Sequence, residues 1–320
     1  MSEDGTVNSC VFKTRTKSTV SPFPICNPRG IAPKQNLDPY ILPVLEEKFK
    51  EFGSVADEYQ KQASDMKLLT QIYEKWENKI SLNKDELRFL YEIDNKIQGF
   101  GYGRDPRLQE ILDSKDENTK RTDLVFIFGC NPNQISFTKE EALSGDIVYH
   151  LGDLDLRSLK SYEKDLPKYV GGNLDLGSLK SYEKNLPKYV GGNLDLGSLT
   201  SLDTSLPEYI GGGLNLSSLT SLYQELPEHV NGNLNLSNLT LLRGSLPKHV
   251  EGYFYLSSLT SLDTSLPEYV GGVLDLRSLI LLYGNLPEYV GDYIFLNQNL
   301  FKENMALFIE KFGKDKLNLH

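Results

Sequence analysis

The residues best placed to do chemistry in this chain recur at a spacing of 20: Asp155, Asp175 and Asp195 form one such series, His229 and His249 another. If the chain stacks in register at that period, each series becomes a column with neighbours about 4.8 Å apart. Carboxylates that close repel unless they are neutralised, so the aspartates could hold a cation, with a solvated acidic face as the expected alternative. Two stacked imidazoles would offer two nitrogen ligands. No third ligand recurs at a matching interval, so neither a metal nor any other cofactor is expected. Cys10, Cys26 and Cys130 are too few and too irregular for a disulfide framework or a zinc site, which fits a reducing, cytoplasmic compartment. The histidines and cysteines form no nucleophile and base pair, and Gly101-Tyr102-Gly103 lacks the spacing and the following lysine of a phosphate loop. A non-enzymatic protein is therefore expected.

Charge narrows the partners. A formal charge of -10 over 320 residues argues against nucleic acid, whose binding draws on a concentrated Lys/Arg surface and counterion release. No stretch approaches the roughly 20 consecutive apolar residues of a membrane span, and the N-terminus has no basic region followed by an apolar run. Neither membrane insertion nor Sec-type export is expected, which leaves a signal-independent secretion route open.

Four segments position these residues. Residues 1–36 are rich in Ser, Thr, Pro and Lys and read as a flexible tail. Residues 37–150 read as a small helical domain that caps a repeat array beginning at Leu151. Leu42, Leu45, Phe49 and Phe52 have helical spacing, as do Leu68, Leu69, Ile72, Tyr73 and Trp76. Asn83 and Glu86 form a capping box before Leu87, Leu90, Tyr91 and Ile93. Asp105 before Pro106 predicts a helix to about Leu112, and Thr138 with Glu141 repeats the capping box. Leu124 to Phe128 fits a strand or a buried helix equally well.

From Leu151 to Leu296 the chain falls into lines of 20 residues with no insertion; Gly191 to Ile210 reads GGNLDLGSLTSLDTSLPEYI. Apolar residues recur at positions 4, 6, 9, 12, 16 and 20 of each line. Positions 4 and 6 share one face of an extended segment while 3 and 5 share the other, so each line is expected to give one short parallel strand. The glycine at position 2 implies a positive φ or a close backbone approach. The Leu-Pro at positions 16 and 17 implies an extended return, since 20 residues leave no room for a full helix opposite the strand. Residues 154–173 and 174–193 differ only at Arg157/Gly177 and Asp165/Asn185, so array length is not expected to be critical. Residues 297–320, with Leu300, Phe301, Met305, Phe308, Ile309 and Phe312, read as an amphipathic helix closing the last coil.

The L-x-L strand, the glycine pair and the LPxxV return resemble short bacterial leucine-rich repeats over Leu151 to Leu296. With the helical segments read on either side of it, the expected fold is α+β: a small N-terminal helical domain, a parallel-strand leucine-rich-repeat-like solenoid and a C-terminal capping helix. One departure bears on the coil. Position 9 is leucine (Leu159, Leu179, Leu199) where that family carries an asparagine that bonds the turn backbone, which leaves a plain right-handed β-helix as an alternative geometry. The chain is also similar, as far as the repeats, to bacterial leucine-rich-repeat ubiquitin ligases. Their catalytic domain follows the array, whereas only about 24 residues follow here and none is cysteine, so ligase activity is not expected.

The outward strand face is thus the expected functional surface. It begins with Asp153, Asp155, Asn173, Asp175, Asn193, Asp195, Asn215, Asn233 and Asn235 and ends with Tyr253, Tyr255, Val273, Tyr293 and Phe295, beside Asp275 and Arg277. Clustered tyrosines on a rigid face bury large areas at low entropic cost, the make-up of a binding hot spot for a protein or peptide. Lys160, Lys164, Lys168, Lys180, Lys184 and Lys188 put basic charge on another edge. Self-association through an imperfectly capped end or the aromatic face is the structural alternative, and an effector acting on a host partner is another.

Overall fold

Helix ends are set by the signals the sequence carries. Asn83 and Glu86 exchange hydrogen bonds at 2.9 Å each and start the helix Lys84–Leu90. Asp105 caps Pro106–Asp113, Asp116 caps Glu117–Phe128, and Thr138 caps Lys139–Ala142. The apolar run Leu124 to Phe128 is therefore helical, ended by Gly129 at φ 63°. Lys84–Leu90 stops sooner than the periodicity predicts because Glu92 takes φ 51°, a left-handed conformation no helix can continue through. Ile93 is buried outside the helix.

The structure is a computed structural model describing residues 54–97, 99 and 104–319. The expected tail 1–36, the positions Leu42, Leu45, Phe49 and Phe52, Cys10, Cys26 and Gly101-Tyr102-Gly103 lie outside the described residues. The chain divides into units Met1–Asp57 and Glu58–His320, and the helical block from Glu58 onward and the repeats belong to the second.

The helical block, with Ser54–Glu77 and the capped helices, closes over Leu69, Ile72, Leu87, Leu90, Leu108, Ile111, Leu124 and Ile127, each 5% exposed or less. Its strand Ile135–Ser136 pairs in parallel with Tyr149–His150, so the block continues directly into the repeats.

The repeats form an α+β solenoid with the register the sequence predicts: Leu174 pairs with Leu154 and Leu194, and Asp175 with Asp155 and Asp195. Leu174 and Leu176 are both fully buried while Asp175 between them reaches solvent. Eight parallel strands that begin at position 4 of successive lines, from Leu154–Asp155 to Ile294–Leu296, make one continuous sheet with Leu317–Leu319 as its ninth strand. One strand per line is a correction, because the return pairs too. Positions 19 and 20 form two sheets of four strands each, the first joined by Ile135–Ser136 of the helical block as a fifth, and from Ser221–Leu222 onward positions 11 and 12 add two-stranded pairs. Within each of these sheets a repeat strand lies beside its copy in the next coil, so its donors and acceptors meet a partner at the same height.

The glycines at position 2 are there for close approach. Gly152 alone among them has positive φ, at 95°. At Gly192 a Cβ would overlap the Asn173 side chain and lie 2.8 Å from the Asn173 nitrogen. The C-terminal helix Gln298–Phe312 buries Leu300 and Phe308 on the last coil and breaks helical geometry at Asn304. That kink accompanies an outward Met305, 46% exposed, where the periodicity predicts an inward one. The segment is more than a helix: Leu317–Leu319 returns as a ninth strand beside Ile294–Leu296. No helix among the described residues is long and apolar enough to cross a membrane.

Candidate binding face

Two rows of short polar side chains build the outward face, and most of them first serve the backbone. At position 3, Asp153 accepts from the Asn173 N–H at 2.7 Å, Asn173 from Asn193 at 2.7 Å, Asn193 from Gly213 at 2.6 Å and Asn233 from Tyr253 at 2.8 Å. At position 5, Asp155, Asp175, Asp195, Asn215, Asn235 and Asp275 each accept from the N–H two residues on, closing an Asx turn at the strand's end. Asparagine and aspartate at positions 3 and 5 thus do for the coil what the resemblance assigns to position 9, where Leu179, Leu199 and Leu219 are buried.

The aspartate column is bonded rather than simply solvated. Arg157 spans Asp155 at 2.6 Å and Asp175 at 3.2 Å. Its hydrogen bonds hold the Asp155 carboxyl down to about 2. Asp195 accepts from Gly197 and, at 2.9 Å, from the Asn215 amide. Among the described residues, no group of three or more His, Cys, Asp or Glu side chains is arranged to hold a metal ion. The His229 and His249 rings lie with centroids 5.6 Å apart and planes tilted by 33°, and His249 meets Glu251 at 2.9 Å.

Towards the C-terminal coils both polar rows give way to aromatics. Tyr253 and Tyr255 meet edge to face at 6.1 Å, and the Tyr253 ring lies over Gly272, where a Cβ would collide with it. Tyr253 is 41% exposed and Tyr293 53%, while Tyr255 and Phe295 are half-buried. Asp275 is not displayed beside them: it is 2% exposed and holds Arg277 through Nε at 2.9 Å and Nη2 at 2.8 Å, with Ser257 donating at 2.9 Å. The guanidinium so fixed lies 5.5 Å from the centre of the Phe295 ring. Tyr253, Tyr255, Arg277, Tyr293 and Phe295 therefore gather at one end of the face, with Asn233 and Asn235 next to them and Asp155, Asp175 and Asp195 at the far end.

Sequence reasoning missed the role of Glu92. It is 7% exposed, binds Arg104 at 2.6 Å, and its carbonyl accepts from the Tyr189 hydroxyl at 2.5 Å. No sequence motif marks it. The pair Ser136 and His150, with Ser136 Oγ 2.9 Å from Nδ1, has the look of a nucleophile and base, but the residues are 0% and 1% exposed and out of a substrate's reach. Two concavities lie away from the strand face: about 380 Å³ beside Trp76 and Lys115, and about 540 Å³ between Lys168, Lys188 and Glu208. Compared with protein families, curated proteins and solved structures, the chain gives no match.

Proposed function

We propose that the chain is a non-enzymatic recognition scaffold that binds a protein or peptide through the outward face of its nine-stranded sheet, centred on Tyr253, Tyr255, Arg277, Tyr293 and Phe295. The observation that carries this reading is Arg277, held by a buried carboxylate against Phe295 among half-exposed tyrosines. A guanidinium fixed before binding loses little freedom on contact, and the rings beside it have few rotamers to lose. The Asp and Asn of coils one to five act as the polar rim in this reading. The test is capture from a lysate of the native host followed by mass spectrometry. The Tyr253→Ala/Tyr255→Ala chain should lose the captured partner while its circular dichroism stays native; retained capture refutes the site.

Membership of the short bacterial leucine-rich-repeat proteins, and with it an effector role on a host partner, belongs to the same proposal and rests on the L-x-L and LPxxV pattern. Self-association is a second reading, favoured by the C-terminal end: Leu317–Leu319 is the edge strand of its sheet with Leu319 47% exposed, and Met305 and Leu307 of the C-terminal helix are 46% and 49% exposed. Light scattering across concentration separates the two.

A further inference from the structure

The helical block uses one set of residues to hold the repeats. Phe128 packs on Tyr149 and Tyr169 at 5.1 and 5.0 Å, Tyr189 donates to the Glu92 carbonyl, and Tyr209 accepts from the Lys96 N–H at 3.2 Å. The hollow of about 380 Å³ in the same block takes none of these. Trp76, Ile80, Leu82 and Leu87 make its apolar wall, and Lys115 and Asp123 its polar one. The helix Ser54–Glu77 ends beside Trp76, and Lys79 at φ 56° turns the chain so that the Ile80 N–H donates back to the Lys75 carbonyl at 2.8 Å. That turn leaves the Ile80 side chain 55% exposed.

The polar wall has hydrogen-bonding capacity left over. Lys115, in the turn after Pro106–Asp113, and Asp123, on Glu117–Phe128, form an ion pair at 2.7 Å with side chains 14% and 15% exposed. The buried Tyr91 hydroxyl donates to the same oxygen, Asp123 Oδ2, at 2.9 Å. Burial and the Asp123 charge push the Tyr91 pKa up, so the hydroxyl stays a donor. Both bonds end on Oδ2. Asp123 Oδ1 and two of the three Lys115 donors meet no other described residue. The hollow therefore offers a donor and an acceptor side by side, with their charges cancelled against each other.

We propose that this hollow binds a small neutral ligand bearing a carboxamide. The ligand carbonyl accepts from Lys115, its N–H donates to Asp123 Oδ1, and its apolar body lies against Trp76, Ile80, Leu82 and Leu87. Small-molecule sites of this volume combine an apolar lining with a few polar groups that fix orientation. An amide answers both halves of the ion pair, whereas a carboxylate meets Asp123, and an ammonium Lys115, as like charge. Lys79 at the edge does not tip the balance towards an anion, because it is exposed and screened by water and salt. The proposal is independent of the strand-face reading, since it uses no residue of the repeats.

Trp76 is the one tryptophan of the sequence, so the single indole N–H signal in the magnetic resonance spectrum of the isotope-labelled full chain reports on the hollow directly. Benzamide is the probe, and it should move that signal saturably with a Kd of about 1 mM. Benzoate and benzylamine, close to it in shape but charged, should bind at least about fivefold more weakly. Ile80→Asp alters an exposed position and should weaken benzamide by about fivefold. Asp123→Asn still accepts from Tyr91 and Lys115 but presents a donor in place of Oδ1, so benzoate should overtake benzamide, a reversal that a purely structural ion pair would not give. If that variant loses its native circular dichroism, Lys115→Gln makes the opposite exchange and benzylamine should overtake. Equal binding of the charged probes, an unchanged affinity in Ile80→Asp, an unreversed order in a folded exchange variant, or an unmoved indole signal each overturns the proposal.

Discussion

Asn193 Oδ1 accepts the backbone N–H of Gly213, 2.6 Å away and one coil further on. The side chain thus fills the place of a ladder carbonyl at a corner where the backbone has none to give. Asn193→Leu should destabilise the chain by about 1–3 kcal/mol, because a donor loses its partner. Asn193→Asp should cost far less, since a carboxylate accepts equally well and Asp153 already does so at the same position. Urea unfolding of the two variants makes the comparison.

Arg277 and Asp275 should respond unequally to mutation. Arg277→Ala strands a carboxylate that is 2% exposed and should cost about 2 kcal/mol, a figure reduced from that of a fully buried pair because the arginine side chain is 46% exposed. Asp275→Asn keeps the Ser257 and backbone contacts and releases a guanidinium that water can solvate, so about 1 kcal/mol is expected. The same two variants should weaken partner capture, Arg277→Ala the more strongly.

Removing one coil tests how the helical block is fastened. Deletion of residues 174–193 keeps every core position but puts Tyr209 in the slot of Tyr189 and His229 in the slot of Tyr209. The shortened chain should fold, with a loss of about 1 kcal/mol for the missing hydroxyl contact to Lys96. His229→Tyr in the deletion background should restore it. Tyr189→Phe in the full chain should cost a similar amount and speed amide exchange in the segment around Glu92.

His150 should give the chain an acid-sensitive step. Burial lowers its pKa, and its ring nitrogens lie 2.9 Å from Ser136 Oγ and 3.2 Å from the Asp153 carbonyl. A histidine whose pKa is depressed in the folded state contributes its stability fully above the unfolded value of about 6.5 and loses it as pH falls towards the folded value. Thermal unfolding from pH 8 to 5 should therefore show a fall below pH 6.5 that is smaller in His150→Gln. Parallel curves would place the acid sensitivity elsewhere.

The leucine pattern read correctly because period and burial coincide: positions 4 and 6 could only point inward once the lines stacked, and Leu174 and Leu176 do. Capping boxes at Asn83 and Thr138 were equally legible, each being a contact between residues three apart. What escaped reading is non-local. Nothing near Glu92 announces that its carbonyl meets Tyr189, and nothing near Leu317 announces a ninth strand, since a three-residue apolar alternation occurs by chance. At the candidate site the aromatic residues were legible by position, whereas the burial of Asp275 was not. The same residue type at the same position is half-exposed in Asp175 and exposed in Asp155, which also has an arginine two residues on; Asp275 differs in lying in register between Tyr255 and Phe295.

The fastening of the helical block across Tyr149, Tyr169, Tyr189 and Tyr209 also divides the repeat array mechanically. Stretched between its ends, the molecule should yield from the C-terminal coil, peeling off one line at a time and releasing roughly 65 Å of contour with each. The force trace should then stiffen at the coil of Tyr209, where further extension must shear the helices from the rings in a single larger event.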